Sequence, residues 1–246
     1  RAYRRVPAGA RTRSEPAGGA GGAFRLRPPV GRLLRHRVVS VTPVGHDGVM
    51  TDAGTADSSA PTLARLTVLA GPTAVGKGTV VAELRRRHPD LFVSISATTR
   101  KPRPGEVDGV HYYFVGAQDF DSLVETGQML EWALVHGVHR YGTPRGPVQD
   151  QLDAGRPALL EIDLAGARQV RRAMPRARLV FLAPPSWDEL VRRLAGRGTE
   201  DPQEQERRLA TARAEMEAAD EFDHIVVNDT VASATAQLER LMGLCG

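Results

Sequence analysis

Cysteine is almost absent from this chain: of 246 residues, only Cys245 carries a thiol. No disulfide can form within the chain, which fits a reducing compartment and sets a cytoplasmic expectation. Lysine is nearly as scarce. Lys77 and Lys101 are the only two, against a large excess of arginine. Long apolar runs are missing too, and nothing approaches the ~20 residues a membrane-spanning helix needs, so no membrane partner is expected. The net charge is only +4 and it is unevenly spread. Residues 1–49 hold ten arginines and two acids, Glu15 and Asp47, a local charge of +8, which leaves −4 for the remainder. A mildly acidic remainder gives no charge support for nucleic-acid binding by the folded part.

Residues 1–62 read as a disordered tail. Ala, Gly, Pro and Arg dominate, as in Pro16-Ala17-Gly18-Gly19-Ala20-Gly21-Gly22. Few large apolar side chains are present to offset the entropy of ordering. An arginine-rich leader also resembles a transit peptide or a nucleic-acid arm, and Met50 offers an alternative start. Removing residues 1–49 is expected to leave melting temperature and activity nearly unchanged. Calorimetry and an activity assay on a chain starting at Met50 check this.

The stretch from Arg65 to Thr79 organises the rest. Val68 and Leu69 sit in a short apolar run that reads as a buried strand. The sequence Gly71-Pro72-Thr73-Ala74-Val75-Gly76-Lys77-Gly78-Thr79 follows, and Val80, Val81 and Leu84 then recur at helical spacing. Strand, glycine-rich turn, lysine and helix is the context of a phosphate-binding loop. Its backbone N–H groups and the helix N-terminus make an anion nest, and Lys77 adds a point charge on the β- and γ-phosphates. Gly78 stands where a Ser or Thr usually follows the lysine, with Thr79 one position late. The motif therefore assigns no direct protein ligand to Mg²⁺, which is expected to be held through water and the phosphates of the nucleotide.

Beyond the loop the spacing predicts strands over 91–96, 110–115, 129–135, 158–163, 178–182 and 224–228. Helices are predicted over 77–87, 118–126, 146–154, 165–174, 186–194, 203–219 and 232–241. Ser186 with Glu189 makes a capping box. Strands alternating with helices imply an α/β fold with a parallel sheet covered on both faces. The run of short strands near 96–145 implies an inserted β-rich subdomain. Ligands in such folds sit at the strand C-terminal ends.

From about Leu63 to Leu241 the chain resembles guanylate kinase of the bacterial type. The segments that carry the resemblance are the glycine-rich loop, Ser94-Ile95-Ser96-Ala97-Thr98-Thr99-Arg100-Lys101-Pro102-Arg103-Pro104-Gly105-Glu106, Glu131-Trp132, Tyr141-Gly142-Thr143, Glu161-Ile162-Asp163 and Gly196-Arg197-Gly198-Thr199. The resemblance implies the P-loop nucleoside-monophosphate-kinase fold. That fold has a parallel-sheet CORE, a GMP-binding subdomain near 96–145 and a helical LID near 193–210. It implies ATP and GMP as partners, with Mg²⁺ accompanying ATP. A non-catalytic guanylate-kinase-like interaction module is the alternative. Such modules typically lose loop or LID charges, and here Lys77, Arg193, Arg197 and Arg208 are present.

The residues fit that implication on their own chemistry. Arg100 and Arg103, three apart on a proline-stiffened loop, suit a fork onto a phosphate; a solvated basic loop is the plainer reading. The resemblance places Ser96, Tyr112, Glu131, Tyr141, Thr143 and Asp163 at GMP as well. From sequence alone, Tyr112 and Tyr141 also read as core aromatics, Asp163 as a helix cap, and Glu131 as a strand-edge acid facing water. Arg193, Arg197 and Arg208 match LID and adjoining arginines, suited to charge developing on a transferring phosphoryl group. Asn228, at the end of the last strand, is a candidate for adenine contact. The sequence does not give the oligomeric state.

Overall fold

The computed structural model describes residues 65–135, 137–195 and 202–245, with side chains in the last stretch from 206 onward. The tail over 1–62, the break at 196–199 and Arg197 lie outside the described residues.

Strand β1 (Leu66–Ala70) is buried at every position. It runs parallel to β7 (Ala158–Glu161) on one side and to β8 (Arg178–Ala183) on the other. The strands β2 (Phe92–Val93) and β9 (His224–Val227) extend the sheet in parallel, giving the order β2-β7-β1-β8-β9. A parallel sheet needs crossovers that cover its faces, so its central strands are apolar throughout. One core contains Val80, Val81 and Leu84 of α1 (Lys77–Arg87) with Ala234, Leu238 and Met242 of α7 (Val231–Met242), against Leu69, Val180 and Leu182. The opposite core packs Ala167 and Val170 of α4 (Leu164–Ala173) and Val148 of α3 (Arg145–Asp153) against Val68, Leu160 and Phe181. Phe181 meets Phe222 edge to face at 5.2 Å.

A second sheet of four strands has the order β4-β3-β6-β5. It contains β3 (Ala97–Thr98), β4 (Tyr113–Phe114), β5 (Met129–Val135) and β6 (His139–Pro144). Helix α2 (Ala117–Glu125) buries Phe120 and Leu123 against it. Two sequence expectations change here. The strand predicted over 91–96 shortens to β2, and the next strand, β3 at 97–98, lies beyond it in the other sheet. Ser94 makes the last bond to the parallel sheet, donating to the Leu159 carbonyl at 2.9 Å, and the chain then crosses over. The strand predicted over 110–115 shrinks to β4, because Val110 and His111 both fold back onto the Val107 carbonyl. Strand β6 has no period-2 signal: it contains Arg140, Gly142 and Pro144. It forms because it pairs with both β5 and β3, and Gly142 lets the strands approach. A Cβ there would sit 2.6 Å from the Glu131 carbonyl oxygen.

The chain returns through α5 (Trp187–Ala195) and α6 (Pro202–Glu217), with Ala212 of α6 fully buried in the α1/α7 core. The Ser186 hydroxyl caps α5, accepting from the Glu189 N–H at 3.2 Å. The Glu189 carboxylate turns to Arg193 at 2.8 Å.

Candidate active site

The loop between β1 and α1 leaves the C-terminal end of the central strand. Gly71 must approach β8 closely: its φ is 150°, and a Cβ would overlap the Leu182 carbonyl oxygen. Ala74 and Gly76 then take φ of 66° and 99°, turning the backbone inward. The N–H of Val75 closes onto the Pro72 carbonyl at 3.3 Å. Those of Ala74, Gly76, Gly78 and Thr79 make no hydrogen bond among the described residues. The last two open the first turn of α1, where N–H groups lack helical partners. This is a concave set of donors at the positive end of a helix. The Lys77 ammonium arches over it, donating to the Gly71 carbonyl at 2.6 Å and to that of Pro72 at 3.3 Å.

The loop is braced from behind. Asn228 is 4% exposed and gives its amide nitrogen to the Val75 carbonyl at 2.8 Å. Arg193 donates to the same carbonyl at 3.1 Å and to the Asn228 carbonyl at 3.3 Å. Both side chains thus converge on the Val75 carbonyl, with Arg193 also held by Glu189 and the Asn228 carbonyl. Arg208 lies on α6.

Acids stand in front of the loop. Glu161 ends β7 beside α1, 3.7 Å from where a Cβ on Gly78 would be. Desolvation pushes its carboxyl above the ordinary range, and Lys77 pulls it back. Asp163 caps α4, accepting from the Gly166 N–H at 2.7 Å. The cap foreseen for Asp163 is therefore real, and it fixes that carboxylate within the same cleft. Glu215 reaches in from α6 and accepts the Thr73 N–H at 3.2 Å.

The second sheet forms the far wall. Arg100 forks onto Glu106 through both terminal nitrogens at 2.8 and 2.9 Å and donates from Nε to the Tyr141 hydroxyl at 3.0 Å. Its plane lies over the Tyr112 ring, 5.3 Å from the centroid. With a further bond to the Lys101 carbonyl at 2.7 Å, four of its five N–H donors are committed. The guanidinium and the Arg103 N–H hold Glu106 down to about 2. Arg103 itself is exposed at the mouth, and Ser96 lies just before β3. Sequence reasoning brings Tyr112, Tyr141 and Arg100 together correctly. It gives no site role to Glu106, although that residue ends the same motif.

Glu131 and Thr143 face each other across β5 and β6. The Thr143 hydroxyl donates to Glu131 Oε1 at 2.7 Å. Glu131 is 8% exposed, so it is not an acid facing water. Burial pushes its carboxyl up to about 7, and the nearby Asp163 charge adds to the rise. The second oxygen looks towards the start of α4, where a Cβ on Gly166 would sit 3.1 Å from Glu131 Oε2 and 3.3 Å from Asp163 Oδ1. Gly166 is a site residue that sequence reasoning missed. Its only signal is a glycine in the first turn of a helix.

The phosphate nest and the buried carboxylate are linked through Asp163, whose charge acts on both Glu131 and the loop-bound Glu215, and β6 carries Thr143 beside Glu131 and Tyr141 beside Arg100. The sequence model of the family described as guanylate kinase matches residues 63–243. The chain belongs to the guanylate kinase family. Curated guanylate kinases are similar throughout this region. That of Leifsonia xyli is 63% identical over 177 residues, 72% of this chain and 70% of the relative. That of Streptomyces coelicolor is 58% identical over 188 residues, 76% of this chain and 95% of the relative. The crystal structure of guanylate kinase from Anaplasma phagocytophilum superposes with a TM-score of 0.58 at 30% identity, covering 74% of this chain and 86% of that one. Guanylate kinases thus share the P-loop kinase fold seen here, and the enzyme is a nucleoside monophosphate kinase.

Among the described residues no helix is long and apolar enough to cross a membrane. The oxygens of Glu161 and Asp163 are the type Mg²⁺ prefers, yet among the described residues no group of acids, histidines or cysteines gathers to hold an ion alone.

Proposed function

We propose that this chain transfers the γ-phosphoryl of ATP to GMP, giving ADP and GDP in purine nucleotide metabolism in the cytoplasm. The observation that carries the reading is a phosphate loop together with a buried, Thr143-bonded carboxylate, both within the field of Asp163. ATP binds with its phosphates in the N–H groups of Ala74, Gly76, Gly78 and Thr79 and under Lys77. The catalytic domain spans about 63–241, with residues 1–62 a dispensable tail. Mg²⁺ would accompany ATP and offset phosphate charge, and the carboxylates of Glu161 and Asp163 would hold it through water.

GMP lies along the second sheet. Its phosphate meets Arg103, the remaining donor of Arg100 and the Tyr112 and Tyr141 hydroxyls, with Ser96 alongside. Glu106 presets Arg100, so little side-chain entropy is lost on binding. The guanine N1–H and 2-amino group donate to Glu131, with Thr143 and Asp163 beside it. A phosphate oxygen of GMP then attacks the γ-phosphorus while the bond to the β-bridging oxygen of ADP breaks. Arg208 and the LID arginines Arg193 and Arg197 offset charge as it spreads over the transferring group. For Arg193 this requires leaving the Val75 and Asn228 carbonyls when the LID closes.

A coupled assay for ADP formation, with GMP, with AMP and with no acceptor, tests the proposal. GMP-dependent turnover is expected. Turnover that ignores the acceptor, or none at all, refutes it and returns weight to a binding module.

Gly166→Ala gives a finer check of the base site. The added methyl presses on both Glu131 and Asp163. The KM for GMP is expected to rise about 3- to 10-fold with little change in kcat, the mark of lost uniform binding. An unchanged KM would show that the α4 start does not bound the base.

A further inference from the structure

One carboxylate beside the phosphate loop has no task in this scheme. Glu215 lies on α6, half-buried, 142 residues from the loop whose Thr73 N–H it accepts at 3.2 Å. The bond ties the helix that follows the LID segment directly to the loop that cradles phosphates. It does so without occupying the nest, because the N–H groups of Ala74, Gly76, Gly78 and Thr79 make no bond among the described residues. Burial and the Asp163 charge push the Glu215 carboxyl above its ordinary range, while the Thr73 N–H and Lys77 pull it down. Its field therefore reaches the lysine and an acid of the transfer site. Arg208 precedes Glu215 by seven residues, two helical turns, which places both on one face of α6. Ala212, between them, is fully buried in the core, so this face of α6 is the one turned to the sheet and the loop.

We propose that Glu215 is a positioning residue: it pins α6 to the phosphate loop and so sets where Arg208 stands relative to the transferring phosphoryl. The proposal rests on the kinase reading above and on Arg208 as a phosphate contact. Glu215→Ala removes the acceptor, whereas Glu215→Gln keeps an oxygen for the Thr73 N–H.

Steady-state kinetics on the full chain read the difference. Glu215→Ala is expected to lose about 10- to 30-fold in kcat with the GMP KM unchanged, and Glu215→Gln to stay within about threefold of the parent. In an Arg208→Ala background, Glu215→Ala should cost less than about threefold, because the group it positions is gone. A general structural defect would instead lower activity by the same factor in both backgrounds. Should Glu215→Ala melt below the assay temperature, Glu215→Asp keeps the charge, withdraws it from Thr73 and is expected to lose about three- to tenfold in kcat. Equal losses in the two backgrounds, or parental kcat in Glu215→Ala or its Asp substitute, would overturn this proposal alone. Absence of GMP-dependent turnover in the parent would overturn the kinase reading and this proposal with it.

Discussion

Lys77→Ala should lower turnover by a factor of about 10² to 10³ and leave the protein folded. The ammonium is held over the nest by the Gly71 and Pro72 carbonyls at 2.6 and 3.3 Å, so little reorganisation is needed for it to meet a phosphate. A charge placed in advance stabilises a transition state at no cost during reaction. The backbone donors of the nest survive the substitution, so ATP still binds and the loss falls mainly on kcat. Fold retention is expected because α1 is anchored by the buried Val80, Val81 and Leu84 rather than by its first residue. The check is kcat with saturating ATP and GMP, alongside a thermal melt. Parental turnover in a folded Lys77→Ala protein would remove Lys77 from the mechanism.

The loop was legible because its signal is local. A strand, two fixed glycines and one of only two lysines fall within fifteen residues, and the fold places each as the spacing implies. The parallel sheet was legible for a similar reason: β1, β7 and β8 are buried on both faces and so read as plain apolar runs. The second sheet was less so. Strand β6 carries Arg140, Gly142 and Pro144, and only pairing with β5 and β3 makes it a strand. Glu215 left no trace, and Gly166 only a glycine in the first turn of a helix. Each acts on a group far away in sequence, Thr73 for one and Glu131 for the other. Asn228 and Arg193 show the converse. Both lie against the loop, where each donates to the Val75 carbonyl, a contact that no one-dimensional pattern records.

Glu131→Gln is expected to lower kcat/KM for GMP by about 2–4 kcal/mol and to change the ATP KM far less. The carboxylate is buried, takes one bond from Thr143 at 2.7 Å and has its second oxygen open towards the start of α4. Guanine offers two adjacent N–H donors to an ionised carboxylate, and glutamine replaces one acceptor with a donor facing an N–H. Adenine has an acceptor at N1 and no 2-amino group, so AMP leaves the carboxylate unpaired. Sites built this way reject analogues by roughly 10⁴-fold. The pH dependence gives a second handle. Glu131 is raised from 4.5 to about 7 in the empty protein, so it keeps its proton there longer than in the unfolded chain. Its contribution to stability is therefore full below about pH 4.5 and is lost as the pH rises through about 7, on the order of 3 kcal/mol in all. GMP reverses that preference, because it binds the ionised form. Between pH 6 and 8 the GMP KM should fall about tenfold as the carboxyl ionises. The GMP phosphate also titrates, near about pH 6, so the control is Glu131→Gln, whose profile keeps only that slope. Kinetics with GMP and AMP on both proteins across this range decide the matter. If the substituted protein keeps its GMP-over-AMP preference and the parent's pH profile, then Glu131 does not read the base.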